Sequence, residues 1–477
     1  MSLALTALPR RAGAPAPVTA AVAVVALLAL PVSPGGAEPA DAASALMVLY
    51  CLILVLRERR RPLPRTAALV LGLPVVGLAL AAMGASSAAA GLAGLGRYLQ
   101  IFVLVPAAVL LLVRDRSGFR LLAWSFVALA LVQGAVGVHQ YVTRTGASYQ
   151  GEDVRAVGTF GPQDVMGMAT AVALGLVCAV GIALGRSSVR QRAAAVGCAL
   201  ALLAPLAFSF SRGAWIATAL ACSAQLVLAG PRRALLTAAA VAAAGVVLVG
   251  GFGLGDAQLR QRLGSIAQVT DAPDQSVIDR YTLWGSAVGM WRRHPVTGVG
   301  LKGFPEYRDG NAGVALSSGA EVAGAGASYR RQPLLSPHNM YLLVLSEQGL
   351  VGLAGLAGGW LALLVCAVRR LPRVRDGGGG VGGDGGGLSG DGVSGGGGGR
   401  SGGGGDGAGL DCGLVACGLL VWLLTDFAYG DIGGPSTLLT GLALGLTAWW
   451  ALSGDDRAPR TRARAGAPVH AEEAVTR

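Results

Sequence analysis

Apolar runs close to the length that crosses a bilayer, about 20 residues, recur along the whole chain. Inside lipid every backbone N–H and C=O must find a partner within the protein, so such runs fold as helices or as a closed barrel. Barrel strands alternate in polarity and are about half as long. The runs here are continuous, which predicts an all-α, polytopic membrane protein. Composition agrees, with 53% hydrophobic and 13% charged residues in 477, against roughly 25% charged in a soluble protein.

The pattern predicts about twelve transmembrane helices, near 16–33, 42–56, 66–83, 98–113, 119–138, 164–184, 193–210, 213–230, 234–253, 346–368, 410–426 and 436–453. The gaps between them alternate in charge. Arg57–Arg65 (RERRRPLPR), Arg114–Arg116, Arg186–Arg192, Arg232–Arg233 and Arg369–Arg375 are basic, whereas Gly35–Ala42 is acidic and has no arginine. The net charge of +12 therefore reads as a positive-inside topology with both termini cytoplasmic, and not as a nucleic-acid surface. Arg10 and Arg11 precede the first run with no clean cleavage site after it, which predicts an uncleaved first helix. All seven cysteines fall in apolar segments, so neither a disulfide framework nor a zinc site is expected.

Residues 1–253 then carry helices one to nine, and 254–345 form one large external loop. Residues 346–376 hold the tenth helix and 410–453 the last two. Between them, the glycine-rich 377–409 reads as a flexible cytoplasmic linker, and 454–477 as a disordered cytoplasmic tail. The external loop is too long for an ordinary connection, so function is expected there. Within it, Asp279–Arg293 puts Leu283, Ala287, Met290 and Trp291 on one face and predicts a helix lying at the membrane surface. Gly298, Gly300 and Gly303 spell GxGxxG, but no βαβ unit surrounds them, so they read as a turn.

Arg97, Arg155, Arg212 and Arg280 lie on the external side, where topology does not favour cations. Each alone could be an interfacial arginine with its stem in lipid. Together they offer guanidinium forks at one depth, suited to phosphate oxygens. A metal-held diphosphate would need closely spaced acidic ligands. The nearest pair, Asp271 and Asp274, has no apparent support, so no metal and no cofactor are expected. Ser336, Pro337 and His338 fit the N-cap and first two positions of a helix. That end would attract anions and keep His338 neutral and able to accept a proton. A merely structural hydrogen bond is the competing reading for His338.

Four segments in this order resemble the O-antigen ligase and polymerase-like superfamily of bacterial membrane proteins. They are RAVGTFGPQD (Arg155–Asp164), SRGAW (Ser211–Trp215), RYTLWGSAVGMWRRHPVTGVGLKGF (Arg280–Phe304) and SPHNMYLLVLSEQGLVG (Ser336–Gly352). The resemblance covers roughly residues 90–450 and implies a membrane-embedded GT-C glycosyltransferase without nucleotide or metal. Such an enzyme passes a saccharide from a polyprenyl-diphosphate carrier to a glycan, lipid or protein acceptor at the outer face of the cytoplasmic membrane. The family's essential histidine matches His338, beside Asn339. Its diphosphate-binding arginines match Arg212 and Arg280 best and then Arg155; Arg97, from the external cluster, is a supporting candidate. Its late acidic residue matches Asp426 in LLTDFAYGD. A ligase and a polymerase differ only in acceptor. A transporter or anion-binding membrane protein is the rival class, disfavoured by the scarcity of charges in mid-helix.

The charge alternation makes a direct forecast. In intact cells an impermeant thiol reagent should label Ser328→Cys and leave Ser401→Cys unlabelled. The reverse pattern would invert the topology.

Overall fold

The structure is a computed structural model that describes residues 17–31, 39–58, 63–149, 153–185, 188–230, 235, 275–311, 320–323, 330–332, 334–376 and 409–453. The helix expected at 234–253, most of the glycine-rich linker and the tail lie outside these residues, as do Asp271, Asp274 and Ser328.

The chain runs up and down through α1 (Thr19–Leu27), α2 (Pro39–Glu58), α3 (Arg65–Met83), α4 (Ala88–Leu112) and α5 (Arg116–Thr143). Two short strands follow, β1 (Ala147–Tyr149) and β2 (Asp153–Arg155), then a 3-10 turn at Gly158–Asp164. Next come α6 (Gly167–Leu184), α7 (Val189–Phe208) and α8 (Arg212–Ala229). Beyond these are α9 (Gln275–Arg293), the short α10 (Phe304–Arg308), β3 (Ala320–Ala323) and β4 (Arg330–Gln332). The chain closes with α11 (Met340–Asp376), α12 (Leu410–Asp426) and α13 (Thr437–Leu452). Among the described residues eight helices are long and apolar enough to cross a membrane, and Thr437–Leu452 is a shorter apolar helix. The protein is a multi-pass membrane protein whose membrane-crossing part is all-α.

Burial sorts the helices as their sequences require. α6 is apolar all round, and 83% of its apolar window is buried against α5, α7, α8 and α12. α2 and α7 bury only 22% of theirs and stand at the periphery. Leu283, Ala287 and Met290 of α9 are buried on one face, as their spacing led one to expect, whereas Trp291, expected on the same face, is only half-buried. α4 begins ten residues earlier than its apolar run suggested and contains a π-helical turn at Gln100–Leu104. Such a turn shifts the phase of a helix and is frequent near functional sites.

The polar segments add a four-stranded antiparallel sheet in the order β2-β1-β3-β4. It pairs Ser148 with Ala323 and so ties the connection after α5 to the large loop. Strands this short leave no period in the sequence, and none was expected there.

α11 is not one continuous helix. Gly349 has φ 64° and ψ −163°, which breaks the ladder. The carbonyls before the break and the N–H groups after it lose their helical partners. The segment Pro295–Leu301 supplies them. Val299 and Gly300 donate to the carbonyls of Ser346 and Glu347 at 2.9 and 3.0 Å, while Leu350 and Val351 donate to those of Pro295 and Val296 at 2.9 and 3.2 Å. Leu301 also donates to Ala81 O at the end of α3, at 3.0 Å. The buried Glu347 carboxylate accepts from Phe304 N at 3.2 Å. The GxGxxG segment is thus a brace for a broken helix. Gly298 and Gly300 have positive φ, and a side chain on either would run into backbone, of residues 347–348 and 84–85 respectively.

Gly349→Ala combines the cost of a backbone region that is essentially confined to glycine, of order 1–3 kcal/mol, with a collision against the Val296 carbonyl. The variant should melt several degrees below wild type in detergent. An unchanged melting curve would show that the break is not needed.

Candidate functional site

The described site is assembled by the connection between α12 and α13, residues 427–436 (FAYGDIGGPS), to whose backbone the start of α11, Asp164 and Arg97 are hydrogen-bonded. Met340 N donates to Phe427 O and Gly430 O at 2.8 and 3.0 Å, and Asn339 Nδ2 donates to Ala428 O at 3.0 Å. Ser436 N donates to Asp164 Oδ2 at 2.9 Å. A Cβ placed on Gly213, in the first turn of α8, would lie 3.1 Å from Tyr429 Cβ. Arg97 reaches the same loop from α4, donating to Gly434 O at 3.3 Å.

His338 stands one residue outside α11, with a left-handed backbone at φ 49°. The N-cap is Asn339, whose side chain accepts from Leu342 N at 3.0 Å. This corrects the expected register, in which Ser336 capped a helix beginning at Pro337. The first amide of α11 is also occupied by the loop carbonyls, so that helix end does not present it to an anion. Trp284 Nε1 donates to Pro337 O at 3.0 Å and fixes the peptide that precedes His338. Burial lowers the imidazole below its ordinary value, the Asp431 carboxylate opposes this, and the Arg280 guanidinium adds to it. His338 therefore lies within electrostatic reach of both Arg280 and Asp431, and the balance favours the neutral imidazole.

Arg280 lies in the second turn of α9 and is half-buried. Asp426 ends α12 and feels the charges of Arg280, Asp431 and Asp164. Asp431 was not singled out from the sequence, although it lies five residues beyond Asp426 in the same LLTDFAYGD segment. Its Oδ2 is buried with no hydrogen-bond partner among the described residues. Asp164 was also missed. It is buried, which pushes its carboxyl up, while Ser436 and the Gly167 N–H draw it back, as does Arg97.

Arg212 is the first residue of α8, half-buried, after Ser211, whose side chain caps the helix by accepting from Ala214 N at 3.3 Å. The contact of Gly213 with Tyr429 puts this helix start beside the central loop. Arg155 ends β2, paired with Ala147, and the next amide, Ala156 N, donates to Phe208 O at 3.4 Å. Arg97 has a different occupation. Its Nη1 donates to Asp41 Oδ1 at 2.6 Å and to Gln100 Oε1 at 3.1 Å, and its Nη2 is on Gly434 O. Gln100 also grips Asp41, at 3.2 Å. The guanidinium is held as a strut between α2, α4 and the central loop. Among the described residues no three His, Cys, Asp or Glu side chains gather as metal ligands.

Fold and site together define a polytopic membrane protein with a histidine, an arginine and several carboxylates collected at one end of its helix bundle. A family model described as O-antigen ligase matches residues 193–357, a stretch that includes Arg212, Arg280 and His338. That part of the chain is thus similar to the O-antigen ligases, as its motifs suggested. No curated protein matches the chain.

The Arg97 strut has a measurable consequence. Arg97→Gln keeps a polar group and loses two of the grips, so amide hydrogen exchange across 427–436 should quicken by at least about tenfold, the equivalent of 1.4 kcal/mol of local stability. Unchanged exchange there would return Arg97 to the pool of substrate ligands.

Proposed function

We propose that this protein is a metal-independent glycosyltransferase that moves a saccharide from a polyprenyl-diphosphate carrier to an acceptor hydroxyl at the outer face of the cytoplasmic membrane. The observation that carries this is the meeting of a neutral histidine with Arg280 and Asp431 at the loop that also abuts the start of α8. His338 is the general base. It takes the proton of the acceptor hydroxyl as that oxygen attacks the anomeric carbon, and the bond from that carbon to the diphosphate breaks with inversion. Such a base contributes roughly 10²–10⁴-fold. Arg280, with Arg212 and then Arg155 as further forks, meets the charge that grows on the departing diphosphate. The alternation of basic gaps supports cytoplasmic termini and an outward site. Whether the acceptor makes the enzyme a ligase or a polymerase, the chemistry at His338 is the same.

The test uses purified protein and a lipid-diphosphate glycan donor. His338→Gln and His338→Ala should insert normally and lose transfer by about two orders of magnitude or more. Arg280→Lys should impair it strongly, because an ammonium does not replace a fork. Near-normal turnover by His338→Gln would refute the mechanism, and a loss of wild-type activity in EDTA would refute metal independence.

The base also sets a pH profile. Protonation silences it, and burial followed by Arg280 lowers its ionisation against the opposing Asp431. The acid limb of kcat/KM should therefore fall below the ordinary imidazole value of about 6.5. Asp431→Asn removes the opposing charge and should move that limb further toward acid. A limb that stays in place would separate Asp431 from His338.

A further inference from the structure

Beside His338 the described surface carries a pair of aromatic rings that the proposed chemistry does not use. Tyr281 follows Arg280 on α9 and is 58% exposed, although the helix buries Leu283, Ala287 and Met290 on its inner stripe. Trp284 lies one turn on, in an edge-to-face contact with Tyr281 at 5.5 Å between centroids and 80° between planes. The indole is not free to rotate, because its N–H is committed to Pro337 O. One indole therefore separates Tyr281 from the peptide that carries His338. At 100° per residue, Arg280, Trp284 and Tyr281 lie in that order around the helix, beside the buried stripe.

We propose that Tyr281, braced by Trp284, is a stacking platform for a sugar ring of the substrate, a subsite for the carrier-linked saccharide next to the Arg280 diphosphate position. The chemistry follows from the two surfaces. An aromatic face is electron-rich, and the C–H bonds on one face of a pyranose are weakly positive. A ring held edge-on by its neighbour presents a face without losing side-chain freedom when the sugar arrives. The order along the chain matches the order in such a substrate, with the diphosphate ligand Arg280 immediately before the platform. An exposed tyrosine could instead sit in a membrane interface, where any apolar side chain of similar size would serve. The inference rests on the glycosyltransferase reading, and the experiment separates the two.

The full chain is purified into lipid nanodiscs, and its affinity is measured for a polyprenyl diphosphate and for the same lipid diphosphate bearing a disaccharide. Wild type should bind the glycosylated lipid more tightly, by about fivefold to tenfold. Tyr281→Phe should keep that preference. Tyr281→Leu, which retains apolar area and lacks a face, should abolish it and leave the affinity for the bare lipid unchanged. In turnover, Tyr281→Leu should raise KM for the donor by a similar factor with kcat little altered. A preference that survives Tyr281→Leu overturns the platform, as does an equal weakening for both lipids, which would mark a membrane contact. Equal binding of the two lipids by wild type overturns the platform and leaves the transferase reading standing. Binding of neither lipid by wild type overturns both.

Discussion

A helix that crosses a membrane has nowhere to put an unpaired backbone group, and α11 contains a break at Gly349 that creates several. The rest of the structure depends on how the break is healed. Pro295–Leu301 lies against it and exchanges hydrogen bonds in both directions. Irregular backbone at such a place is tolerated only when protein surrounds it. The bracing segment follows α9 directly, with His294 N on Met290 O and Gly298 N on His294 O. Healing the break therefore also anchors one end of the helix that carries Arg280, Tyr281 and Trp284. It fixes the upper part of α11 separately from the lower part, so that Asn339 and Met340 can meet the loop at 427–430.

That loop is the second organising element. It is short, and the start of α11, Asp164 and Arg97 all hydrogen-bond to its backbone. Charge decides which arginines remain for chemistry. Arg97 is committed to Asp41, Gln100 and Gly434 O, so its strength goes into holding the loop. Arg280 faces a group of acids that includes Asp426 and Asp431. His338 feels both signs, and burial is the largest influence favouring its neutral form.

Particular residues show how much could be read in advance. The buried face of α9 was legible because Leu283, Ala287 and Met290 repeat at helical spacing, and a surface helix must put its apolar stripe inward. The helix start at His338 was misread by three residues. Ser336-Pro337 and Asn339 both satisfy the local rules for a cap, and the choice was made by Phe427 and Gly430, whose carbonyls take the Met340 amide from almost 90 residues away. Asp431 stood in view five residues beyond Asp426, but nothing local separates two aspartates in one short segment. Only the fold gives one of them a buried, unpartnered oxygen near His338.

By itself the sequence determined the class of protein and its motifs. Apolar length fixes membrane-crossing helices, because lipid satisfies no backbone hydrogen bonds. His338, Arg212 and Arg280 were marked by residue type and order. Tertiary structure alone decided the roles of the glycine motif at 298–303, of Arg97 and of Asp164, since each depends on a partner distant in the chain. A glycine permits positive φ without saying what will approach it, and an arginine carries its charge without saying which carbonyl will take it. Those partners are chosen when helices pack, because burying polar groups together is the way each of them avoids standing unpaired in lipid.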